Sequence, residues 1–378
     1  MLSLEDFDYA LPPDRIARHP AERRDESRLL VVERRTGAFQ HRRFCDIGDF
    51  LRAGDLLVLN VSRVIPARLY ARRHSEGKQG GGHVEIFLVN EIEPLVWRAL
   101  VRPGKKIQKG ERLIVAPGQD RGTGILPATN HERDAHATRF EGVVTDYAGR
   151  GERIIRFETS GEDWNQLLQL FGHTPLPPYI LKARKMADES PDDTAEDRER
   201  YQTVYATMPG SVAAPTAGLH FTEQLIVALE RRGIEFARVT LHVGPGTFQP
   251  LTDQQLRAGE LHEEAYSLDA AEAEKINRAR REDRRIIPVG TTAMRVLESA
   301  CDNEGRLVAQ SGLTRLFITP GFRFRLADAM ITNFHLPRSS LLVLVCAFAG
   351  RETIFRAYGE AIAQGYRFYS YGDAMLIL

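Results

Sequence analysis

RRIIPVGTTAMRVLESA, residues Arg284–Ala300, decides the class of the fold. Its first half holds an apolar run around Ile286 and Ile287 that reads as a buried strand. Gly290 follows, and Thr291–Ala300 takes on the texture of a helix. A buried strand that passes through glycine directly into a helix is half of a βαβ unit. The surrounding chain repeats the pattern. GIEFARVTLHVG (Gly233–Gly244) reads as a strand. DAAEAEKINRARRE (Asp269–Glu282) opens with Asp269 and Glu272 in capping-box spacing and continues with an amphipathic period. LLVLVCAFAG (Leu341–Gly350) is the most apolar run, yet it is far short of the roughly 20 residues that cross a bilayer. It reads as part of a buried helix over Ser339–Ala349, followed by a helix over about Glu352–Gln364 and a terminal strand near Ala374–Leu378. The alternation predicts an α/β domain with a largely parallel sheet or open barrel.

Upstream, RLLVVERRTGAFQHRRF reads as a hairpin turning at Thr36–Gly37, then a short helix near Asp46–Leu51 and a strand in DLLVLNVS. From about Arg63 the texture changes. ARLYARR, HVEIFLV, LVWRALV, RLIV, ATRFEGVV and RIIRFE are short strand-like runs without helical period, broken by GKQGGG and PGQDRGTG. They predict a small all-β, Greek-key-like barrel over 63–155, inserted into an α/β domain made of 1–62 and 156–378. Ser160 is expected to cap the helix that ends at Gly172. ARKMADESPDDTAEDRER (Ala183–Arg200) is acidic and nearly free of apolar residues, which predicts a mobile surface loop.

Composition narrows the function. Lysine plus arginine (51) equals aspartate plus glutamate (51), which excludes a wholly basic nucleic-acid binder but leaves room for local basic patches. Cys45, Cys301 and Cys346 are far apart with no C-x-x-C, so a disulfide framework is not expected and a reducing cytosol fits best. The N-terminus MLSLEDFDYALPPDRIA lacks the basic and apolar regions of a secretory signal. Familiar motifs fail in turn. GPGTFQ puts Gln249 where a dinucleotide fingerprint needs its third glycine, RPGKK is not a P-loop, and no G-x-S-x-G is present. HEEAY is not a zincin motif, and no dense ligand set calls for a metal.

Four Gly/Pro/His/Thr-rich junctions remain: APTAGLHFT (Ala214–Thr222), LHVGPGTFQPL (Leu241–Leu251), VGTTAMRVLES (Val289–Ser299) and ITNFHLPRSSLL (Ile331–Leu342). Ligands of open α/β sheets collect where such turns converge, at the carboxyl ends of strands. Three of the four carry a histidine, namely His220, His242 and His335. Any one of these also fits a buried structural histidine. It is their convergence that reads as a site.

These junctions, with ERYQTVYATMPGSVAAPTAGLHFTEQL, FDYALPPDRIARHPAERRDESRLLVV, GDLLVLNVSRVIPARL, GHTPLPPYI and ITNFHLPRSSLLVLVCAFAG, closely resemble the S-adenosylmethionine:tRNA ribosyltransferase-isomerase family of queuosine biosynthesis. The likeness runs from Phe7 to about Tyr371. It implies a discontinuous, barrel-like α/β domain with an inserted β-barrel. It also implies transfer and isomerisation of the ribosyl group of S-adenosylmethionine onto a 7-aminomethyl-7-deazaguanine base in the tRNA anticodon, giving epoxyqueuosine-tRNA, adenine and methionine. S-adenosylmethionine is then a co-substrate, with no other cofactor and no metal, and the protein is expected to be a cytoplasmic monomer. The acidic stretch after PPYI looks longer than the family pattern.

Such a donor presents a carboxylate, a sulfonium, a ribose diol and a purine. Helix starts at LHFTEQL and GTTAMRV offer N–H groups for the carboxylate, with Arg295 adding charge. Phe221 and Phe248 are the expected faces for the sulfonium, although core packing would explain them equally. Thr216, Gly218, Thr222, Gly244, Gly246, Thr291, Thr292 and Asn333 complete the expected wall. His220 and His335, with His242 behind them, are the expected acid and base. Arg68, Arg72, Arg73, Arg102, Lys105 and Lys106 are the expected RNA contacts of the β domain. Two other readings compete. One is an S-adenosylmethionine- or nucleoside-cleaving enzyme without RNA, and the other is a non-catalytic RNA-binding protein.

Overall fold

The structure is a computed structural model that describes residues 2–74, 81–116, 139–149, 151–248 and 250–378. One unit comprises Met1–Arg63 and Leu176–Leu378, and a second comprises Val64–Pro175. The chain begins with β1 (Arg28–Val32), β2 (Phe39–Arg43), β3 (Leu56–Asn60) and the short β4 (Ser62–Val64). The second unit holds β5 (Arg68–Arg73), β6 (His83–Glu93), β7 (Val96–Arg102), β8 (Arg112–Val115), β9 (Phe140–Gly149), β10 (Glu152–Glu158) and α1 (Trp164–Phe171). Back in the first unit come α2 (Pro178–Met186), α3 (Ala195–Arg200), β11 (Met208–Ser211), α4 (Glu223–Arg231), β12 (Glu235–Leu241) and α5 (Asp253–Ala258). They are followed by β13 (Glu260–Leu268), α6 (Ala270–Arg281), β14 (Ile286–Val289), α7 (Gly290–Ala300) and β15 (Gln310–Leu316). The last elements are β16 (Met330–Asn333), α8 (Ser340–Ala349), α9 (Arg351–Ala363) and β17 (Ala374–Ile377).

Nine strands form the sheet of the first unit, in the order β15-β13-β12-β3-β14-β16-β17-β1-β2. The central β12, β3, β14 and β16 are mutually parallel. Around them the sheet is mixed, because β13 runs antiparallel to both β12 and β15, β17 runs antiparallel to β16, and β1–β2 is a hairpin. The central strands are buried on both faces, so they lack polar alternation. Leu56 and Val58 of β3 pack with Ile276, Val296 and Leu297 on one face, while Leu57 and Leu59 meet Phe221, Leu229 and Ile331 on the other. A third core joins Leu30 and Val32 of β1 to α8 and α9 through Val343, Val345 and Ile354.

Local signals resolve as follows. Asp269 caps α6 by accepting from the Glu272 N–H at 2.9 Å, but the Glu272 carboxylate turns to the Arg238 N–H of β12 at 3.0 Å. The expected box therefore becomes a stitch between helix and sheet. Ser160 does not cap α1. It sits in the turn before, at φ 52°, and Asp163 takes the cap by accepting from Gln166 at 2.9 Å.

In the second unit, six strands close into a barrel, β10-β7-β6-β5-β8-β9. Val84, Ile86 and Leu88 of β6 alternate inward, as a half-buried strand requires. The unit continues to Pro175, past the expected boundary at 155. The reason is physical: β10 pairs with both β7 and β9 to close the barrel, and Trp164 of α1 packs on Phe157 at 4.8 Å and Phe140 at 5.7 Å. The glycine-rich breaks at 77–80 and 117–124 lie outside the described residues.

The acidic segment 183–200 is not a mobile loop. It contains the end of α2 and all of α3, and Arg184 forms a two-pronged pair with Asp197 at 2.8 Å for each prong. Both side chains are almost fully buried, and Tyr371 donates to Asp197 at 2.8 Å. The arginine and the hydrogen bonds hold the Asp197 carboxyl below its ordinary pKa against the opposing effect of burial. Low apolar content misleads a reading by composition, because this segment is fixed by a charge pair instead of by hydrophobic burial. Among the described residues no helix is long and apolar enough to cross a membrane.

A candidate ligand cleft at the strand ends

The carboxyl ends of β12, β14 and β16 open onto one cleft. Val243 and Thr247 come from beyond β12, Gly290–Thr292 and Arg295 from β14 and α7, and Asn333–Leu336 from β16. Ala213–Ala217 after β11, Tyr369 and Ser370 before β17, Tyr179 of α2 and Ser339 at the start of α8 complete the walls. About 770 Å³ of space lies between them, open to solvent at the mouth.

Gly290 makes the floor possible. Its φ of 91° lies where side-chain-bearing residues are strained, and it turns β14 straight into α7. The N-cap, Val289, has no side chain able to accept, so the first N–H groups of α7 are left uncapped at the positive end of the helix. Arg295 lies farther along α7 and pairs with Glu264, both side chains being buried. Its Nε donates to the Leu316 carbonyl at 3.2 Å. Glu264 also accepts from the Gly244 N–H at 2.9 Å and the Thr247 hydroxyl at 3.3 Å. One carboxylate thus anchors both the GPGT turn and the arginine. Arg295 Nη2, Thr292 Oγ1 and Asn333 Oδ1 are buried without a partner among the described residues.

Asn333 is locked. Its Nδ2 donates to the Tyr369 carbonyl at 3.1 Å and to His220 Nε2 at 3.2 Å, using both amide hydrogens. A flipped amide would set oxygen against the Tyr369 carbonyl, so Oδ1 stays as a free acceptor. With Nε2 accepting, His220 carries its proton on Nδ1 and donates to Ser27 Oγ at 2.7 Å. Ser27 in turn donates to the Arg24 carbonyl at 3.2 Å. His220 stacks on Phe44 with ring centres 5.0 Å apart. Burial, reinforced by Arg367, lowers its pKa to about 3, so the ring is neutral.

His335 lines the cleft itself. Thr332 donates to the Asn333 carbonyl at 3.4 Å, which leaves its oxygen to accept from His335 Nε2 at 2.8 Å. Nδ1 then takes no hydrogen bond from the described residues. Burial lowers this pKa to about 3 as well.

The cleft therefore brings together Thr216, Thr291, Thr292, Arg295, Asn333 and His335 of the expected set. His220 stands one layer behind, reaching the cleft only through Asn333. His242 does not line this cleft; its backbone N–H donates to the Ala265 carbonyl at 2.8 Å, and burial lowers the pKa of its ring. Phe221 is fully buried against Phe44 in the sheet core and does not face a ligand, and Thr222 is occupied capping α4. Gly218 is small because a Cβ there would lie 2.0 Å from the Tyr205 hydroxyl. Gly244 gives its N–H to Glu264, and Gly246 packs beside His262. The Phe248 side chain lies outside the described residues. Sequence reasoning misses Tyr179, Tyr369 and Ser370, which reach the cleft only by tertiary folding, and Glu264, which acts on it only through Arg295 and the Gly244 turn.

In the barrel unit, Arg68 is buried and paired with Glu85 at 3.2 Å, while Arg73 is partly exposed and pairs with Glu111. Arg72, Arg102, Lys105 and Lys106 are exposed. Arg153 donates to the Gly104 and Ile107 carbonyls, pinning the turn that carries the two lysines. Among the described residues no group of three or more His, Cys, Asp or Glu could hold a metal ion.

A cleft over the ends of parallel strands, floored by an uncapped helix start and a buried arginine with an N–H unpartnered among the described residues, marks an α/β protein whose site suits a small molecule with an anionic end. The chain belongs to the family described as queuosine biosynthesis protein, whose pattern matches residues 4–377. It is similar to the S-adenosylmethionine:tRNA ribosyltransferase-isomerase of Carboxydothermus hydrogenoformans, 48% identical over 377 residues and covering 100% of both chains. That of Moorella thermoacetica is 45% identical over 379 residues, again covering 100% of both. The crystal structure of the S-adenosylmethionine tRNA ribosyltransferase of Thermotoga maritima matches 99% of this chain and 100% of its own, at 37% identity and a TM-score of 0.50.

Proposed function

We propose that this protein transfers and isomerises the ribosyl group of S-adenosylmethionine onto 7-aminomethyl-7-deazaguanine in a tRNA anticodon, releasing adenine and methionine. The observation that carries this is the end-to-end match, at 48% identity, to a relative named for that activity. The cleft supports it chemically. The uncapped start of α7 and Arg295 Nη2 suit the donor's carboxylate. Asn333 Oδ1 suits a hydroxyl or ammonium of the donor, since it can only accept. Neutral His335, whose Nδ1 takes no hydrogen bond from the described residues, is unprotonated and can accept a hydrogen bond or a proton from the donor. His220 serves as the positioning residue for Asn333. The protein acts in the cytosol as a monomer, with S-adenosylmethionine as its only small-molecule partner.

Incubation with S-adenosylmethionine, with and without tRNA bearing the modified base, tests the reading through adenine release. Release only with tRNA is the expected result. Release without tRNA would mark a donor-cleaving enzyme, and no release would mark a non-catalytic RNA binder.

Lys105 and Lys106 are the RNA-binding cations of the barrel unit on this reading. Changing both to glutamine is expected to weaken tRNA binding and to flatten the plot of log affinity against log salt by about 0.7–0.9 for each phosphate no longer neutralised. Filter binding across a salt series measures this, and an unaltered slope would remove the patch from the RNA surface.

A further inference from the structure

A second, smaller cleft lies behind the first in the same unit, lined by Pro20, Arg24, Ser27, Arg200 and His220 among others. Ser370 lines both clefts, and the Asn333–His220 pair forms the partition between them. The charge balance in this second cleft is unusual. The half-buried Arg24 guanidinium is held by three backbone carbonyls, those of Arg200 and Leu219 at 3.2 Å and that of Glu199 at 3.1 Å. No carboxylate of the described residues comes within ion-pair distance of it. Arg200 beside it is likewise clamped by carbonyls of Ala21 and Glu22, and its one carboxylate, Glu196 at 3.6 Å, is largely exposed. Burial and the neighbouring Arg200 oppose the Arg24 charge, and the exposed Glu199 carboxylate, beyond ion-pair distance, offsets them only in part. His220 is neutral and contributes no charge of its own. The carbonyls fix the guanidinium in place but leave its charge only partly compensated, and a desolvated charge in that condition is stabilised by an anion.

We propose that this second cleft seats a backbone phosphate of the RNA substrate, next to the nucleotide whose base enters the main cleft. The inference rests on the RNA-dependent reading above. A nucleotide base reaching the Asn333 side must leave its sugar–phosphate on the adjoining surface, and the surface that adjoins across Ser370 and His220 is the one with the unpaired arginine. A planar guanidinium matches phosphate geometry, and salt screens the half-buried arginine less than it would an exposed lysine.

The test compares Arg24→Gln and Arg24→Lys with the unaltered protein, measuring the Kd for modified tRNA across a salt series and the Kd for S-adenosylmethionine. Arg24→Gln is expected to raise the tRNA Kd about tenfold and reduce the salt slope by about 1, with Arg24→Lys recovering most of the loss and the S-adenosylmethionine Kd unmoved. Unchanged tRNA affinity and slope would overturn the proposal. So would parallel weakening of both ligands, which would mean that Arg24 only braces the Leu219–His220 backbone. Should Arg24→Gln fail to fold, ethylation interference with the unaltered protein decides. Ethylated phosphates flanking the target nucleotide should be depleted from bound tRNA, and no depletion at either would overturn the proposal. If the unaltered protein releases adenine without RNA, the RNA reading itself falls. If its release depends on RNA while Arg24 and both phosphates are silent, only the phosphate seat falls.

Discussion

Arg295→Met is expected to cost about 3–5 kcal/mol of stability, because it leaves the Glu264 carboxylate buried without its cation. It is also expected to raise the Kd for S-adenosylmethionine at least about tenfold, the loss of one hydrogen bond to a charged group being worth about 1.5–3 kcal/mol. The two effects separate in a double variant. Adding Glu264→Gln removes the stranded charge, while the amide oxygen can still accept from Gly244 and Thr247. Denaturant unfolding should show much of the stability restored, and calorimetric titration should show donor affinity still low. Recovery of both together would reduce Arg295 to a counter-ion of Glu264 and remove it from the donor site.

His220→Ala is expected to lower kcat/KM about a hundredfold, with most of the loss in the KM for S-adenosylmethionine. The substitution leaves both Ser27 and Asn333 without a partner and frees the Asn333 amide to turn. His220→Gln, whose oxygen can accept from Asn333, should stay within about tenfold of the unaltered protein. Neither variant should move the pH profile between pH 6 and 9, since the ring is already neutral there. A loss confined to kcat, with no rescue by glutamine, would make His220 the acid or base after all. Stability carries a second signature. The folded pKa values of His220 and His335, about 3, lie below the ordinary value of 6.5, so the unfolded chain takes up protons first as pH falls. Stability is therefore full above pH 6.5 and declines below it toward pH 3, by about 1.4 kcal/mol per pH unit for each histidine. His220→Gln should remove the His220 share of that slope and leave those of His335 and His242.

The sequence exposes these parts unevenly. The passage from β14 through Gly290 into α7 is readable because glycine, buried strand and helix are adjacent in the chain. The α6 cap and the barrel strands are readable for the same reason. The local pattern finds His220 but not its role, because Ser27 and Asn333 lie 193 and 113 residues away. Phe221 looks like a ligand face because no short-range rule distinguishes an aromatic ring turned into the core from one turned into a cleft. Arg184 and Asp197 are hidden for a different reason: in a stretch crowded with charges, nothing local marks the one pair that becomes buried.

The position of β17 bears on how the protein is made. Among the described residues this strand alone joins β1 to β16 in the nine-stranded sheet, and Tyr369 and Ser370 just before it form a wall of the cleft. The barrel unit, Val64–Pro175, is continuous in the chain and can close while Leu176–Leu378 is still being translated. The sheet cannot. Until residues 374–377 leave the ribosome, the hairpin β1–β2 has no neighbour, and Val343 and Val345 of α8 lack Met375 and Ile377 from their core. A nascent chain therefore carries a finished barrel unit and an unfinished, sticky sheet unit, a state in which translation pauses late in the message favour chaperone capture or aggregation.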